Sequence, residues 1–231
     1  MILLTNGCSW TWGGGLESFY KNDDMRLKLC WPWHLGMMLG ADEIVNLAMG
    51  CGSNQRIWRT TIDWMIHHQP EDNQDIIAVI QLTEPSRYEH YMEESNRSWE
   101  IRDIQWARCK TDSVQLPGTH RNFRKQIEAY NDTRMGLYTE IEGMYDVLSV
   151  CAALHSLFKM HKIKYYIWDF SINIARFPKK YQDFILENFS YIPNGPSWNY
   201  ERLSNDPHPS ILGHQQIAHK ILQSIETFGE E

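Results

Sequence analysis

A three-layer α/β/α sandwich with a mainly parallel sheet is the fold class that this 231-residue sequence predicts. Short apolar runs alternate with longer amphipathic stretches, the pattern of strands joined by crossover helices. One run, 75–82 (Asp-Ile-Ile-Ala-Val-Ile-Gln-Leu), is apolar at consecutive positions, as a central parallel strand covered on both faces requires. The length suits one α/β domain over 1–231 that buries a full core without disulfides or metals.

The elements follow in order. Residues 1–5 form an apolar run that breaks at Asn6-Gly7, which reads as a buried strand ending in a loop. Residues 31–39 read as a helix with Pro32 in its first turn. A second short strand occupies 43–48, with Val45 and Leu47 on one face. Ser53 is a suitable N-cap for a helix reaching about His67, with Ile57, Thr61 and Met65 on one side. The strand at 75–82 comes next. Residues 86–118 are polar and irregular, an insertion or lid with too few apolar residues for its own core. Helical periodicity over 122–160 leads to a strand at 163–170, a helix near 178–188 and a last amphipathic helix from about Leu212 to Phe228. In such sheets ligands bind beyond the carboxyl ends of the strands, where the chemically suggestive residues of this chain fall.

Composition excludes several function classes. The net charge is −7 without a basic block, which argues against nucleic acid or an anionic membrane as the main partner. Five cysteines with no CxxC pair disfavour a disulfide scaffold or a zinc ribbon and fit a reducing compartment. The start, Met1-Ile2-Leu3-Leu4, lacks a basic segment and a long apolar one, so no signal peptide is expected. Apolar runs stop short of the roughly 20 residues of a membrane span, and a cytoplasmic or otherwise soluble protein is expected. Ten Trp and eleven Tyr can serve the core or line a cleft for sugars and acyl groups.

Two segments carry chemistry. The first strand runs into Asn6-Gly7-Cys8-Ser9-Trp10-Thr11-Trp12-Gly13, which places the Ser9 hydroxyl just past a buried strand end. A hydroxyl is a weak nucleophile until a base takes its proton. Near the other terminus, Asn205-Asp206-Pro207-His208-Pro209-Ser210 holds His208 between two prolines that restrict its backbone, which suits a pre-positioned base. Asp206 stands where it can orient the imidazole. Taken singly, Ser9 could cap a turn, and the His208 segment could be a turn with a helix cap.

Together they resemble the SGNH/GDSL hydrolase family. Gly7-Cys8-Ser9 with Thr11 and Gly13 is similar to its first block, with Cys8 in place of the commoner Asp; Asp206-Pro207-His208-Pro209-Ser210 with Gly213-His214 is similar to its last. The resemblance implies a flavodoxin-like α/β/α fold and a serine esterase without metal or cofactor. Ser9, His208 and Asp206 would be its catalytic triad, and its substrates acyl esters, lipids or acetylated carbohydrates. The aromatic richness favours a carbohydrate O-acetyl group, and the oligomeric state stays open.

The middle blocks diverge. Val45-Asn46-Leu47-Ala48-Met49-Gly50-Cys51-Gly52-Ser53-Asn54 is similar to the second block, with Cys51 at the family's glycine. The implied oxyanion donors are the amides of Ser9, Cys51 and Gly52, and donors of this type contribute about 3–4 kcal/mol to a transition state. The family's Gly-x-Asn-Asp is replaced by Gln81-Leu82-Thr83-Glu84. Thr83 falls on the Asn position and could donate through its hydroxyl; Asn54 is the alternative if its loop folds inward. The last block also has Asp-x-His instead of Asp-x-x-His, so either Asp206 or a backbone carbonyl holds His208.

Other groups fit less well. Cys8 as nucleophile would have to share the cleft with Ser9, which alternation along an extended chain disfavours. His67-His68 have no metal-motif companions, and Gly13-Gly14-Gly15 lacks the Lys-Ser/Thr of a P-loop. His214 reads as a helix-start residue packing under His208, Arg87 and Glu89 as a surface ion pair, and Trp10 and Trp12 as core or as stacking surfaces.

Overall fold

The computed structural model describes residues 1–16, 23–68, 75–92, 102–106, 132–133, 136–169, 174, 177–193 and 198–228. In chain order these form β1 (Ile2–Asn6), α1 (Ser9–Trp12), α2 (Asp23–Leu27), α3 (Trp31–Leu39), β2 (Glu43–Asn46), α4 (Asn54–His68), β3 (Ile76–Leu82), β4 (Tyr88–Met92) and β5 (Arg102–Trp106). There follow α5 (Glu140–Met160), β6 (Lys164–Asp169), α6 (Lys179–Asn188), β7 (Tyr191–Ile192) and α7 (Ile211–Phe228).

The main sheet has the order β2-β1-β3-β6-β7 and every pair in it is parallel. Its two faces separate by residue parity, because successive strand side chains alternate. Ile2 and Leu4 of β1 and Ala78, Ile80 and Leu82 of β3 pack with Ile57 of α4 and Val147, Val150, Cys151, Leu154 and Phe158 of α5. Leu3, Val79, Tyr166 and Trp168 pack on the opposite face with Trp31 and Leu35 of α3 and Ile217 and Ile221 of α7. Leu3, Leu4, Ile80 and Leu82 are fully buried, and a buried aliphatic side chain of this size contributes about 1.5–3 kcal/mol. The three-layer arrangement follows directly. Among the described helices only α5 is long and apolar enough to cross a membrane, and that apolar character is used inside the protein.

Helix ends follow local chemistry. The Ser53 hydroxyl accepts the Arg56 amide at 3.1 Å and opens α4. Thr139 does the same for Glu142 at the start of α5, and Ser210 for Gly213 in α7. Pro32 lies in the first turn of α3 as expected.

Three differences from the sequence reading have physical reasons. The second strand ends at Asn46 instead of residue 48, because the Asn46 side chain accepts the Ala48 amide and turns the chain out of the ladder. The polar stretch after β3 contains an antiparallel pair, β4 with β5, that its composition did not signal; residues 93–101 and 107–118, the first part of 122–160, residue 170 and the side chain of Glu89 lie outside the described residues. The two-residue strand β7, and the short helices α1 and α2, are too brief to carry periodicity.

After β1 the chain moves to β2 on one side and returns to β3 on the other, so a topological switch point lies between the carboxyl ends of β1 and β3. Ligands bind in such a crevice, and Ser9 opens it.

Candidate active site

The Ser9 loop is held from below. Asn6, at the end of β1, donates to Ile57 O and to the Thr60 and Thr61 hydroxyls of α4, while its own oxygen accepts the Gly7 amide at 2.8 Å. Thr11 is fully buried and donates to Gln81 Oε1 of β3 at 2.5 Å. Asn46 Nδ2 donates to Thr11 O at 2.9 Å. The ends of β1, β2 and β3 thus all grip the turn that presents Ser9.

Ser9 is the first residue of α1, where amide N–H groups have no partner within the helix. Its Oγ lies 2.8 Å from His208 Nε2, across 199 positions of sequence. The other ring nitrogen, Nδ1, contacts Asp206 Oδ1. A carboxylate only accepts, so Nδ1 carries the proton and the Nε2 lone pair accepts from the Ser9 hydroxyl. Asp206 Oδ1 also accepts the His208 backbone amide at 2.9 Å. That second bond accounts for the Asp-x-His spacing, since one oxygen fixes both the main chain and the ring of a residue two places on. Burial pushes the Asp206 carboxyl up, but the hydrogen bonds from the His208 amide and ring more than offset it, and the group stays ionised below its ordinary range.

The His208 segment is a closed loop. Leu203 N–H donates to His208 O at 3.0 Å, Ser210 N–H to Glu201 O at 3.0 Å, and the Ser210 hydroxyl to Glu201 Oε1 at 2.7 Å. His214 is fully buried behind this loop on α7, and its Nδ1 accepts the Trp31 amide at 3.3 Å. Burial, with the nearby His34 and His208, holds its pKa down at about 3, so it is neutral.

Gly13-Gly14-Gly15 has a role that reading it as a failed P-loop missed. A methyl at Gly14 would lie 2.9 Å from both His208 Nε2 and Ser9 Cβ, and one at Gly15 would meet Leu203, Asp206 and His208. Gly15 also adopts φ +85°, a region that side chains disfavour. The triglycine turn backs onto all three members of the Ser9–His208–Asp206 group. Its only sequence signal was the run of glycines itself.

The expected oxyanion residues are placed less favourably. Cys51 occupies the left-handed region at φ 62°, the conformation that a glycine would adopt without strain. The Gly52 amide is committed to Met49 O at 3.1 Å. Asn54 forms a buried two-point clamp on the Thr83 backbone: its Oδ1 accepts Thr83 N–H at 2.8 Å and its Nδ2 donates to Thr83 O at 3.0 Å. The Thr83 hydroxyl is fully shielded from solvent and has no hydrogen-bond partner among the described residues. The Asn54 side chain is committed to the Thr83 backbone, and the Thr83 hydroxyl is enclosed, at the junction of α4 and β3. Cys8 is also buried, its thiol 3.6 Å from Gln81 Oε1 and directed into the protein. Trp10 is core, edge-on to Tyr200, whereas half-buried Trp12 lies under the Arg26 guanidinium. No group of three metal-ligating side chains occurs among the described residues.

A family described as Family of unknown function (DUF6071) matches residues 18–180. The chain belongs to this family. No curated protein matches the sequence. Among solved structures, a crystal structure of TesA is similar with a TM-score of 0.52 and 12% identity, over 98% of this chain and 99% of that one. The psychrotrophic esterase EstA from Pseudoalteromonas sp. gives 0.49 and 11% over 100% and 99% of the two chains. A GDSL-like lipase from Bacteroides thetaiotaomicron gives 0.41 and 13% over 98% and 88%. The likeness to TesA extends over nearly the whole of both chains, and the fold is the three-layer α/β/α sandwich with a parallel sheet that the sequence predicts.

Proposed function

We propose that residues 1–231 act as one SGNH-type serine esterase domain on small acyl esters, with acetyl groups on carbohydrate as the favoured class. The observation that carries this reading is the 2.8 Å contact of Ser9 Oγ with His208 Nε2, with Asp206 on the opposite ring nitrogen. Ser9 Oγ attacks the acyl carbon while His208 Nε2 takes its proton. The imidazolium returns that proton to the leaving alkoxide. Water, deprotonated by His208, then cleaves the acyl-serine and restores the hydroxyl. Asp206 keeps the imidazole in the required tautomer and stabilises its cation. The amides of Ser9 and Cys51, next to the amino end of α4, are the proposed oxyanion donors.

A second reading is an SGNH-like module that binds glycan or serves a structural role without turnover. The shielded Thr83 hydroxyl favours it, because a hydroxyl enclosed away from solvent does not take the place of the family's Asn as a donor in the crevice. A fluorophosphonate probe separates the two. Covalent labelling of Ser9, located by peptide mass, is expected of the esterase; folded protein that stays unlabelled at Ser9 rejects it.

A further inference from the structure

Beside the Ser9 loop, at the carboxyl end of the edge strand β2, lies a cavity of about 260 Å³ lined by Asp24, Leu27, Lys28, Pro32, Trp33, Ile44 and Asn46. Its position ties it to the reacting centre. Asn46 is part of the cavity wall and also donates to Thr11 O, two residues beyond Ser9; two residues span at most about 7 Å. The helix α2 joins the same two places: Asp24 and Leu27 face the cavity, while Arg26 lies over Trp12 and its Nη1 donates to Trp12 O.

The lining narrows the occupant. One carboxylate and one ammonium leave the wall without net charge, which disfavours a phosphate, a polyanion or a cationic ligand. Trp33 supplies an aromatic ring with the Lys28 ammonium over it, 5.7 Å from the ring centroid, and Leu27, Pro32 and Ile44 line the same cavity. An aromatic plane bordered by hydrogen-bonding groups of both signs matches a sugar ring, whose C–H face stacks while its hydroxyls both donate and accept. The volume is below the roughly 300–1,000 Å³ of sites for drug-sized ligands, so one ring fits and an oligosaccharide does not.

We infer that this cavity is a monosaccharide subsite, with Trp33 as the stacking platform and Asp24 and Lys28 as hydroxyl-binding groups, that holds the alcohol portion of the ester beside Ser9. Its coupling to turnover rests on the esterase reading; its binding of sugar does not.

The decisive experiment uses Ser9→Ala protein labelled with ¹⁵N at its indoles, titrated with glucose, galactose, xylose and N-acetylglucosamine. The Trp33 indole resonance, assigned by its loss in Trp33→Phe, is expected to shift with at least one sugar, and Lys28→Ala to weaken that response severalfold. An unmoved Trp33 signal with all four sugars overturns the subsite. Turnover gives the second arm. Trp33→Ala and Lys28→Ala should lose about tenfold in kcat/KM on 6-O-acetylglucose, mainly through KM and with kcat kept within about twofold. A loss carried by kcat with KM unchanged overturns the role in turnover. A parent protein inert toward 6-O-acetylglucose and p-nitrophenyl acetate alike sinks the esterase reading alone, leaving the indole titration to decide the subsite.

Discussion

The two terminal loops and the two middle loops around Ser9 commit their polar groups in opposite ways. Ser9, Asp206 and His208 point at one another, with the Ser9 hydroxyl and the imidazole left partly open to solvent. Asn54, Gly52 and Thr83 turn inward: an amide clamps a backbone, a backbone amide closes a turn, and a hydroxyl is sealed inside. One half of the crevice is the hydrogen-bonded group that the proposed esterase would use to move a proton, and the other half holds the scaffold together. Substitutions in the first half should therefore change rate with little cost in stability, and those in the second should do the reverse.

The largest expected effect is on Ser9. Ser9→Ala should lower p-nitrophenyl acetate turnover by about 10³-fold or more, since triad members act as a unit, and should shift the melting temperature by no more than a degree or two. Wild-type activity in this variant would remove the distinction between the halves. Next comes Gly14→Ala, whose methyl must displace His208 or Ser9; a misplacement near 1 Å costs about 100-fold in rate. Measured kcat should fall by that order while circular dichroism and urea midpoint change little.

Asn54→Ala tests the other half. It leaves the buried N–H and C=O of Thr83 without partners, so unfolding free energy should drop by about 2–4 kcal/mol in urea titration, with turnover per folded molecule kept within about tenfold. Thr83→Val sharpens the point, because it removes only a hydroxyl that has no partner among the described residues. Stability should hold or rise slightly, and so should activity; a loss near 100-fold would mark Thr83 as an oxyanion donor after all.

The enclosed groups also give stability a slope against pH. Unfolded His214 titrates at its ordinary value near 6.5, whereas the folded protein holds it near 3. Above 6.5 both states are neutral and no penalty exists. Below it the unfolded chain alone binds the proton, so stability declines as pH falls toward 3, at up to about 1.4 kcal/mol per pH unit. Asp206, held low when folded, adds loss in the same direction at the acid end. A melting-temperature series from pH 8 to 4 should show this decline, and His214→Asn should flatten it.

The contrast also marks what could be read in advance. The strand at 75–82 and the helices at 31–39 and 54–68 were legible because their apolar spacing is dictated by burial on one face or two. Ser9 and His208 were legible because each sits in a short motif of unusual composition. The Asn54–Thr83 clamp was not, since an amide that accepts from one backbone group and donates to another has the same sequence as one that donates to a substrate. The part played by Gly14 and Gly15 is not legible, as nothing local shows that the His208 loop, near the other end of the sequence, packs against them.

By itself the sequence determined the layered α/β/α fold, through hydrophobic periodicity, and the serine and histidine at opposite ends of the chain. The tertiary structure decided which polar groups face the crevice and which are enclosed. That choice depends on the distance between segments far apart in sequence. A hydrogen bond of 2.8 Å exists only once the sheet order has brought β1, β3 and the start of α7 to one edge.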